Sequence, residues 1–314
     1  MNPPDRPLVT FALFAYNQEE YIQQAVEGAF AQTYTPLEII LSDDSSSDRT
    51  YEIIQGMAAA YTGPHTIHLR QSEVNKGLAN HVNAVSNLAE GEIIVLAAGD
   101  DISLPTRVTV SVDLLETHKD ATAVLLSAII IDKNGSKTGQ RFAGGRESEL
   151  KIQTLDDLIS LRYTTFGASR AIRSEIFKIF GDLQINCPTE DTPLLLRSLI
   201  CGSNVLSSEI GISYRVHDKN LSNLKSLASM NIEAIYAQYE EDISRAVILS
   251  LVGPKKLKSL RKWVFQDNKS RQIKLKIGLR APLSVGEWMF ILMHRPFHLK
   301  ETIKIAYISV FRKV

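Results

Sequence analysis

GEIIVLAAGDD, residues 91–101, is the stretch that decides how this chain is read. An apolar run from Ile93 to Ala98 stops at Gly99 and is followed by Asp100 and Asp101. A short apolar run bounded in this way reads as a buried strand. The carboxyl edge of strands in an open α/β sheet is where ligands bind. Two adjacent carboxylates repel, so they need a cation, a proton or open solvent. A hard divalent ion that also grips a diphosphate resolves the repulsion. An acidic turn in which Asp101 caps the next helix accounts for the same residues, so the stretch alone leaves both readings open.

Upstream, the chain alternates. Residues 8–14 (LVTFALF) read as a buried strand, and Tyr21, Ile22, Ala25, Val26, Ala29 and Phe30 then fall on one helical stripe. Residues 37–41 (LEIIL) form a second strand stopped by SDDSSSD, with a helix over about 49–60. Residues 65–70 are a weaker third strand, 75–77 a turn, 78–89 a helix, and 92–97 the fourth strand. Pro105 opens another helix at a permitted N-terminal position. The alternation implies a parallel, helix-covered sheet. Beyond it, 121–131 is a long β-rich run, DKNGS at 132–136 a turn, and 141–149 a mobile loop. Residues 190–201 read as a helix that begins at an acidic pair, and 204–216 as a pair of strands. After Asn223 the pattern is almost wholly helical, with breaks near Pro254, Pro282 and Pro296.

Composition narrows the class. The 314 residues are 44% apolar and 22% charged with zero net charge, ordinary for a globular protein. The charge is unevenly spread: residues 253–314 hold 15 Lys or Arg against three acids. Cys187 and Cys201 have no paired spacing around them, which argues against a disulfide framework or a zinc site and fits a reducing cytoplasm. The N-terminus lacks the apolar stretch of a signal peptide, and no run reaches 18 apolar residues, so a spanning helix is not expected. Neither GxGxxG nor GxxxxGK[ST] occurs. Phosphate recognition would then rest on a metal and on loop N–H groups.

Three acidic pairs follow apolar elements: Asp43-Asp44, Asp100-Asp101 and Glu190-Asp191. The first two fall at carboxyl ends of predicted parallel strands and converge on one crevice. Together with AYNQEEYI (15–22), NKGLANHVN (75–83), TEDTPLLLRSL (189–199) and YRVHDKNLS (214–222), their order resembles glycosyltransferase family 2 over about residues 7–223. The later motifs look most like bacterial enzymes that build O-antigen, capsule or other cell-surface polysaccharide.

The resemblance implies an α/β GT-A nucleotide-diphospho-sugar transferase fold: a Rossmann-like, mostly parallel sheet flanked by helices. It implies inverting transfer from a nucleotide-sugar donor to a hydroxyl of a glycan or lipid-linked glycan. UDP would be the carrier, with dTDP fitting equally. Asp44 would accept a hydrogen bond from the nucleobase, while Asp43 supports the turn. Ala15, Tyr16 and Glu19 would line the nucleotide pocket and Lys76 would face phosphate, with Asn83 bracing its loop. Asp101 would bind Mg²⁺ or Mn²⁺ across the donor phosphates, and Asp100 would contact ribose or a metal-bound water. Asp191 would be the general base, with Glu190 in support; a helix N-terminus favours negative charge there. His217 would be a third metal ligand or a diphosphate donor. Arg215 would pair with phosphate or orient Asp191. His65, His68, His81 and His118 read as surface or packing residues.

The resemblance ends near Asn223, so the expected division is a GT-A domain over 1–223 and a basic helical extension over 224–314. Trp288 and Phe290, in VGEWMFILM (285–293), and the apolar run IAYISVF (305–311) lie among cations and suit a membrane interface. The expected location is therefore the cytoplasmic face of a membrane, peripherally bound. Packing on the core or on another copy in a homo-oligomer is the competing reading of this extension. A nucleic-acid partner is not expected, since the basic tail carries no RNP signature or zinc spacing. A scaffold that binds nucleotide sugar without turnover is the competing function.

Overall fold

The computed structural model describes residues 6–145, 150–218, 220, 230–279 and 281–293. It divides into two compact units: Met1–Leu155 with Thr164–His217, and Asp156–Tyr163 with Asp218–Val314.

The first unit is built on one mixed ten-stranded sheet. β1 (Val9–Ala15), β2 (Leu37–Asp43), β3 (Thr66–Gln71) and β4 (Ile93–Ala98) are mutually parallel, in the order β3-β2-β1-β4. Their connections are α1 (Ile22–Phe30), α2 (Thr50–Ala59) and α3 (Leu78–Leu88). β1, β2 and β4 are buried along nearly their whole length, which is why they read as continuous apolar runs. β3 lies at the sheet edge and is mostly exposed, which explains its weaker pattern. β5 (Ile102–Ser103) precedes α4 (Arg107–Thr117).

Beyond β4 the sheet turns mixed. β6 (Ala121–Ile131) bends through the 132–136 turn into β7 (Lys137–Arg141). β8 (Lys151–Gln153) and α5 (Leu155–Ile159) follow, then a 3₁₀ turn (Gly167–Ser169) and β9 (Arg170–Arg173). β9 runs antiparallel between β4 and β6, joining the two parallel sets. α6 (Glu175–Phe180) and α7 (Asp191–Cys201) lead to β10 (Ser203–Arg215), which is parallel to β6. Two differences from the sequence reading stand out. Residues 203–215 form one long strand, whose register shifts between Leu206 and Ile212 replace the expected turn. The sheet also carries antiparallel strands at β5, β7, β8 and β9 that local periodicity did not announce. Of the loop expected over 141–149, Arg141 closes β7, and 146–149 lie outside the described residues.

The second unit contains α8 (Ile232–Ile248), α9 (Pro254–Gly278) and α10 (Val285–Met293). Trp263 and Tyr239 are buried in it with ring centroids 5.0 Å apart. Asp267 accepts from Tyr163 and Tyr239 and pairs with Arg271 at 2.6 Å. Phe290 and Ile291 pack on Ile273, so Phe290, expected at a membrane interface, is buried within the unit. Val285, Met289, Leu292 and Met293 are the exposed apolar residues of that helix. Among the described residues no helix is long and apolar enough to cross a membrane. The apolar run 305–311 and Pro296 lie outside the described residues.

Candidate active site

Register aligns the carboxyl ends of three strands. Ala15 on β1 stands opposite Asp43 on β2, and Phe14 stands opposite Ala98 on β4. The acids that follow β2 and β4 therefore flank the end of β1.

At the end of β2 the two acids divide the work. Asp43 is fully buried and accepts from the Ser46 N–H at 2.9 Å and from the Ser46 hydroxyl, closing the turn into α2. Asp44 is tied to β1, since its N–H donates to the Ala15 carbonyl. Its carboxylate, 3% exposed, accepts from the N–H groups of Lys76 and Gly77 at 3.1 and 2.9 Å. Asp44 thus anchors the 75–77 loop above the strand edge. The facing 16–19 loop is laced to the same turn. Asn17 N–H donates to Ser46 Oγ, and the Glu19 carboxylate accepts from the Arg49 N–H, the residue before α2. Asn17 and Ser45 both hold left-handed backbone there (φ 51° and 62°), in loops whose conformation the surroundings impose. Tyr16 is left 46% exposed at this edge, and Lys76 is exposed. Asn83 braces a different segment from the one expected, exchanging two hydrogen bonds with Leu183. His81 is buried against Ser42 Oγ at 2.6 Å, and burial pushes its pKa down to about 4.

The turn after β4 is tighter. Gly99 donates its N–H to the Phe14 carbonyl, and a Cβ there would run into Gln18, Ile22 and Ala15. Asp101 is 5% exposed. Its Oδ1 accepts the Arg215 N–H at 2.8 Å, while its Oδ2 is buried with no hydrogen-bond partner among the described residues. Burial first, and then the neighbouring Asp100 charge, push the Asp101 carboxyl well above the ordinary carboxylate range. A carboxylate with an orphaned oxygen needs a cation or a proton. Asp100 Oδ2 lies 3.0 Å from His217 Nε2, so the expected metal residue His217 stands beside Asp100. Arg215 is fully buried under this turn. Its guanidinium donates to the carbonyls of Asp100, Asp132 and Lys133 and to Gln24 Oε1, and it stacks 4.8 Å from the Tyr21 ring. Arg215 therefore holds the shape of the turn.

The third pair opens α7. Glu190 is the cap residue, and its carbonyl accepts from the Leu194 N–H. Burial, then the Asp191 charge, push the Glu190 carboxyl up to about 7. The Asp191 side chain is 35% exposed. The arginine beside it is Arg170, which stands 3.6 Å from Oδ1 and donates to the Asp191 carbonyl at 2.9 Å. A Cβ at Gly167 would overlap the same carboxylate. Sequence reasoning missed Arg170 and Gly167. They lie in TTFGASR (164–170), a stretch with no periodicity and no motif, and only the sheet brings them to α7.

The family model for glycosyl transferase family 2 matches residues 10–181. The chain belongs to glycosyltransferase family 2. The match runs from within β1 to the end of α6, including the first two acidic pairs, Arg170 and Gly167. One relative is UDP-Glc:alpha-D-GlcNAc-diphosphoundecaprenol beta-1,3-glucosyltransferase WfaP of Escherichia coli. It is 33% identical over 112 residues, which are 36% of this chain and 43% of that protein. The chain spans about half the length of several curated relatives that it matches, 46% of one and 57% of another. In fold, the family 2 chain is similar to S. aureus TarS 1–349 in complex with UDP-GlcNAc. That likeness has a TM-score of 0.65 at 16% identity, covering 96% of this chain and 86% of that one. It is also similar to the mannosyltransferase PcManGT of Pyrobaculum calidifontis with GDP-Man and Mn2+. There the TM-score is 0.60 at 15% identity, with 99% and 89% covered. These likenesses establish the GT-A architecture of the family 2 domain.

Proposed function

We propose that the protein is a metal-dependent inverting glycosyltransferase that moves a sugar from a UDP-sugar, or a dTDP-sugar, to a hydroxyl of a cell-surface glycan. The observation that carries the reading is the buried Asp101 carboxylate, with an unpartnered Oδ2, at the carboxyl edge of the sheet in a family 2 chain. Among the described residues no three His, Cys, Asp or Glu side chains are grouped to hold a metal by themselves. That suits Mg²⁺ or Mn²⁺, which commonly takes one or two carboxylates and completes its shell with substrate phosphates and water. Asp101 would hold it, with Asp100 and His217 beside it. The bound ion would supply Lewis-acid stabilisation of the departing nucleoside diphosphate. The residues of the chain do the rest. Asp44 and the 75–77 loop receive the base, and Tyr16 packs against the nucleotide. Asp191 takes the proton from the attacking hydroxyl on the face opposite the leaving group, which inverts the anomeric centre.

WfaP's UDP-Glc donor and the UDP-GlcNAc bound to TarS support a uridine carrier, and WfaP's diphosphoundecaprenol acceptor supports a lipid-linked one. Calorimetry with UDP-glucose, UDP-N-acetylglucosamine, dTDP-glucose and GDP-mannose tests the reading. A UDP- or dTDP-sugar should bind with MnCl₂, and EDTA should lower affinity at least tenfold. Binding that ignores EDTA overturns the metal role, and preference for GDP-mannose overturns the base assignment. The second unit would dock peripherally on the cytoplasmic face of a membrane through its cations and the exposed apolar residues of α10. Full-length protein should sediment with anionic vesicles, and indifference to them sinks this part.

A further inference from the structure

We propose that Arg170 is a positioning residue that keeps the negative charge of the acidic pair on Asp191, and that Gly167 makes room for it. The inference rests on reading Asp191 as the base.

Arg170 opens β9 and is wholly shielded from solvent. A buried guanidinium is costly unless an anion offsets it. Its NH2 donates to Thr165 Oγ1 at 3.1 Å and to the Asp191 carbonyl at 2.9 Å, while Nε and NH1 have no hydrogen-bond partner among the described residues. The compensating charge is the acidic pair. Among the described residues, the charged and titratable groups that face Asp191 are Arg170 from β9 and Glu190 from its own turn. The 167–169 turn contributes only Gly, Ala and Ser. With one cation beside two acids, burial and then the Asp191 charge push the Glu190 carboxyl up to about 7, and Asp191 is the acid whose side chain is partly open to solvent.

The geometry of the pair matters as much as its charge. At 3.6 Å the Arg170 NH2 is too far from Asp191 Oδ1 for a hydrogen bond, and that buried oxygen has no hydrogen-bond partner among the described residues. Oδ1 is itself shielded from solvent, so the half of the carboxylate that Arg170 approaches is turned inward, and the exposed part of the side chain is what an acceptor hydroxyl can reach. The buried guanidinium beside the inward oxygen offsets the carboxylate charge without covering its exposed side. The hydrogen bond to the Asp191 carbonyl instead fixes the first turn of α7 against β9. Gly167 forms the floor under the carboxylate, where any side chain would displace it. That floor is anchored to the other half of the site. Arg107, also fully buried, donates from one nitrogen to both the Ala168 carbonyl and the Leu96 carbonyl of β4. The turn beneath the base and the strand that delivers Asp100 and Asp101 are thereby held by one side chain.

The test uses full-length Arg170→Met, Arg170→Lys and Asp191→Asn with water as acceptor. Release of UDP from UDP-glucose or UDP-N-acetylglucosamine, whichever binds, is followed with MnCl₂ between pH 5 and 8. Arg170→Met should lower kcat 10- to 100-fold, leave the donor KM within twofold, and move the acidic limb of the pH–rate profile to higher pH. Arg170→Lys should return that limb and recover part of kcat, which a purely structural arginine would not produce. Donor KM rising in step with the loss of kcat, or an unmoved acidic limb, overturns the proposal. If Arg170→Met does not fold, Arg170→Lys decides: a wild-type limb with lowered kcat supports the role, and a raised donor KM overturns it. Asp191→Asn separates the two readings. Wild-type release by Asp191→Asn removes the base assignment itself, whereas an inactive Asp191→Asn beside a normal Arg170→Met removes only Arg170.

Discussion

The turn at 99–101 and the helix start at 189–191 each present two adjacent acids, and they resolve the repulsion in opposite ways. In the strand-end turn Asp101 is sealed in, back-bonded to Arg215, and left with an oxygen that no described residue satisfies. At the helix start the chain brings its own cation, Arg170, and leaves Asp191 open to solvent on one side. A carboxylate with one oxygen left unpartnered suits a ligand ion that arrives with the substrate. One whose charge is offset on its buried side, and whose other side stays open, suits proton abstraction. Adjacent acids therefore mean little in sequence until their surroundings are known.

Three substitutions break or sharpen this contrast. Asp191→Asn keeps size and hydrogen bonding but removes the basic lone pair. Transfer should fall by roughly 10²–10⁴, the usual worth of a positioned general base, while donor affinity measured by calorimetry stays within twofold. If donor affinity collapses too, the two acidic sites are not separable. Asp44→Ala should weaken UDP and UDP-sugar alike by about tenfold, the scale of one charge-assisted hydrogen bond. Unchanged UDP affinity in a titration would leave Asp44 solely as the anchor of the 75–77 loop.

The smallest effect concerns Glu190. Its folded-state pKa of about 7 lies above the ordinary 4.5. The stability linked to this proton is thus fully present below about pH 4.5 and is lost as pH rises towards 7. Glu190→Gln should match the wild type in urea unfolding at pH 4.5 and exceed it at pH 8 by about 1–3 kcal/mol. Equal stability at both values would show that Glu190 is not held protonated.

Much of the first half was legible because its strands are buried on both faces. β1, β2 and β4 carry continuous apolar runs, and helical stripes such as Ile22, Ala25, Val26 and Ala29 mark the covering helix. The acids then fall where those runs stop, so their place at one sheet edge could be read from order alone. The second half was less legible. β9 is four residues long, too short for a period to show, yet it joins the two parallel sets of strands. β10 alternates like two strands because a bulge interrupts its register.

The sequence by itself determined the strand–helix alternation, the family and which acids stand at element ends, because these depend on local pattern and on spacing along the chain. Only the tertiary structure decided what each acid meets. Arg215 was a candidate partner for Asp191, but it lies under the Gly99–Asp101 turn, where β10 pairs with β5 and with β6. Arg170 reaches Asp191 because β9 inserts beside β4 and carries the 164–170 segment to the start of α7. Charge partners are chosen by distance in space, and sheet topology sets that distance between residues that sequence spacing leaves unrelated.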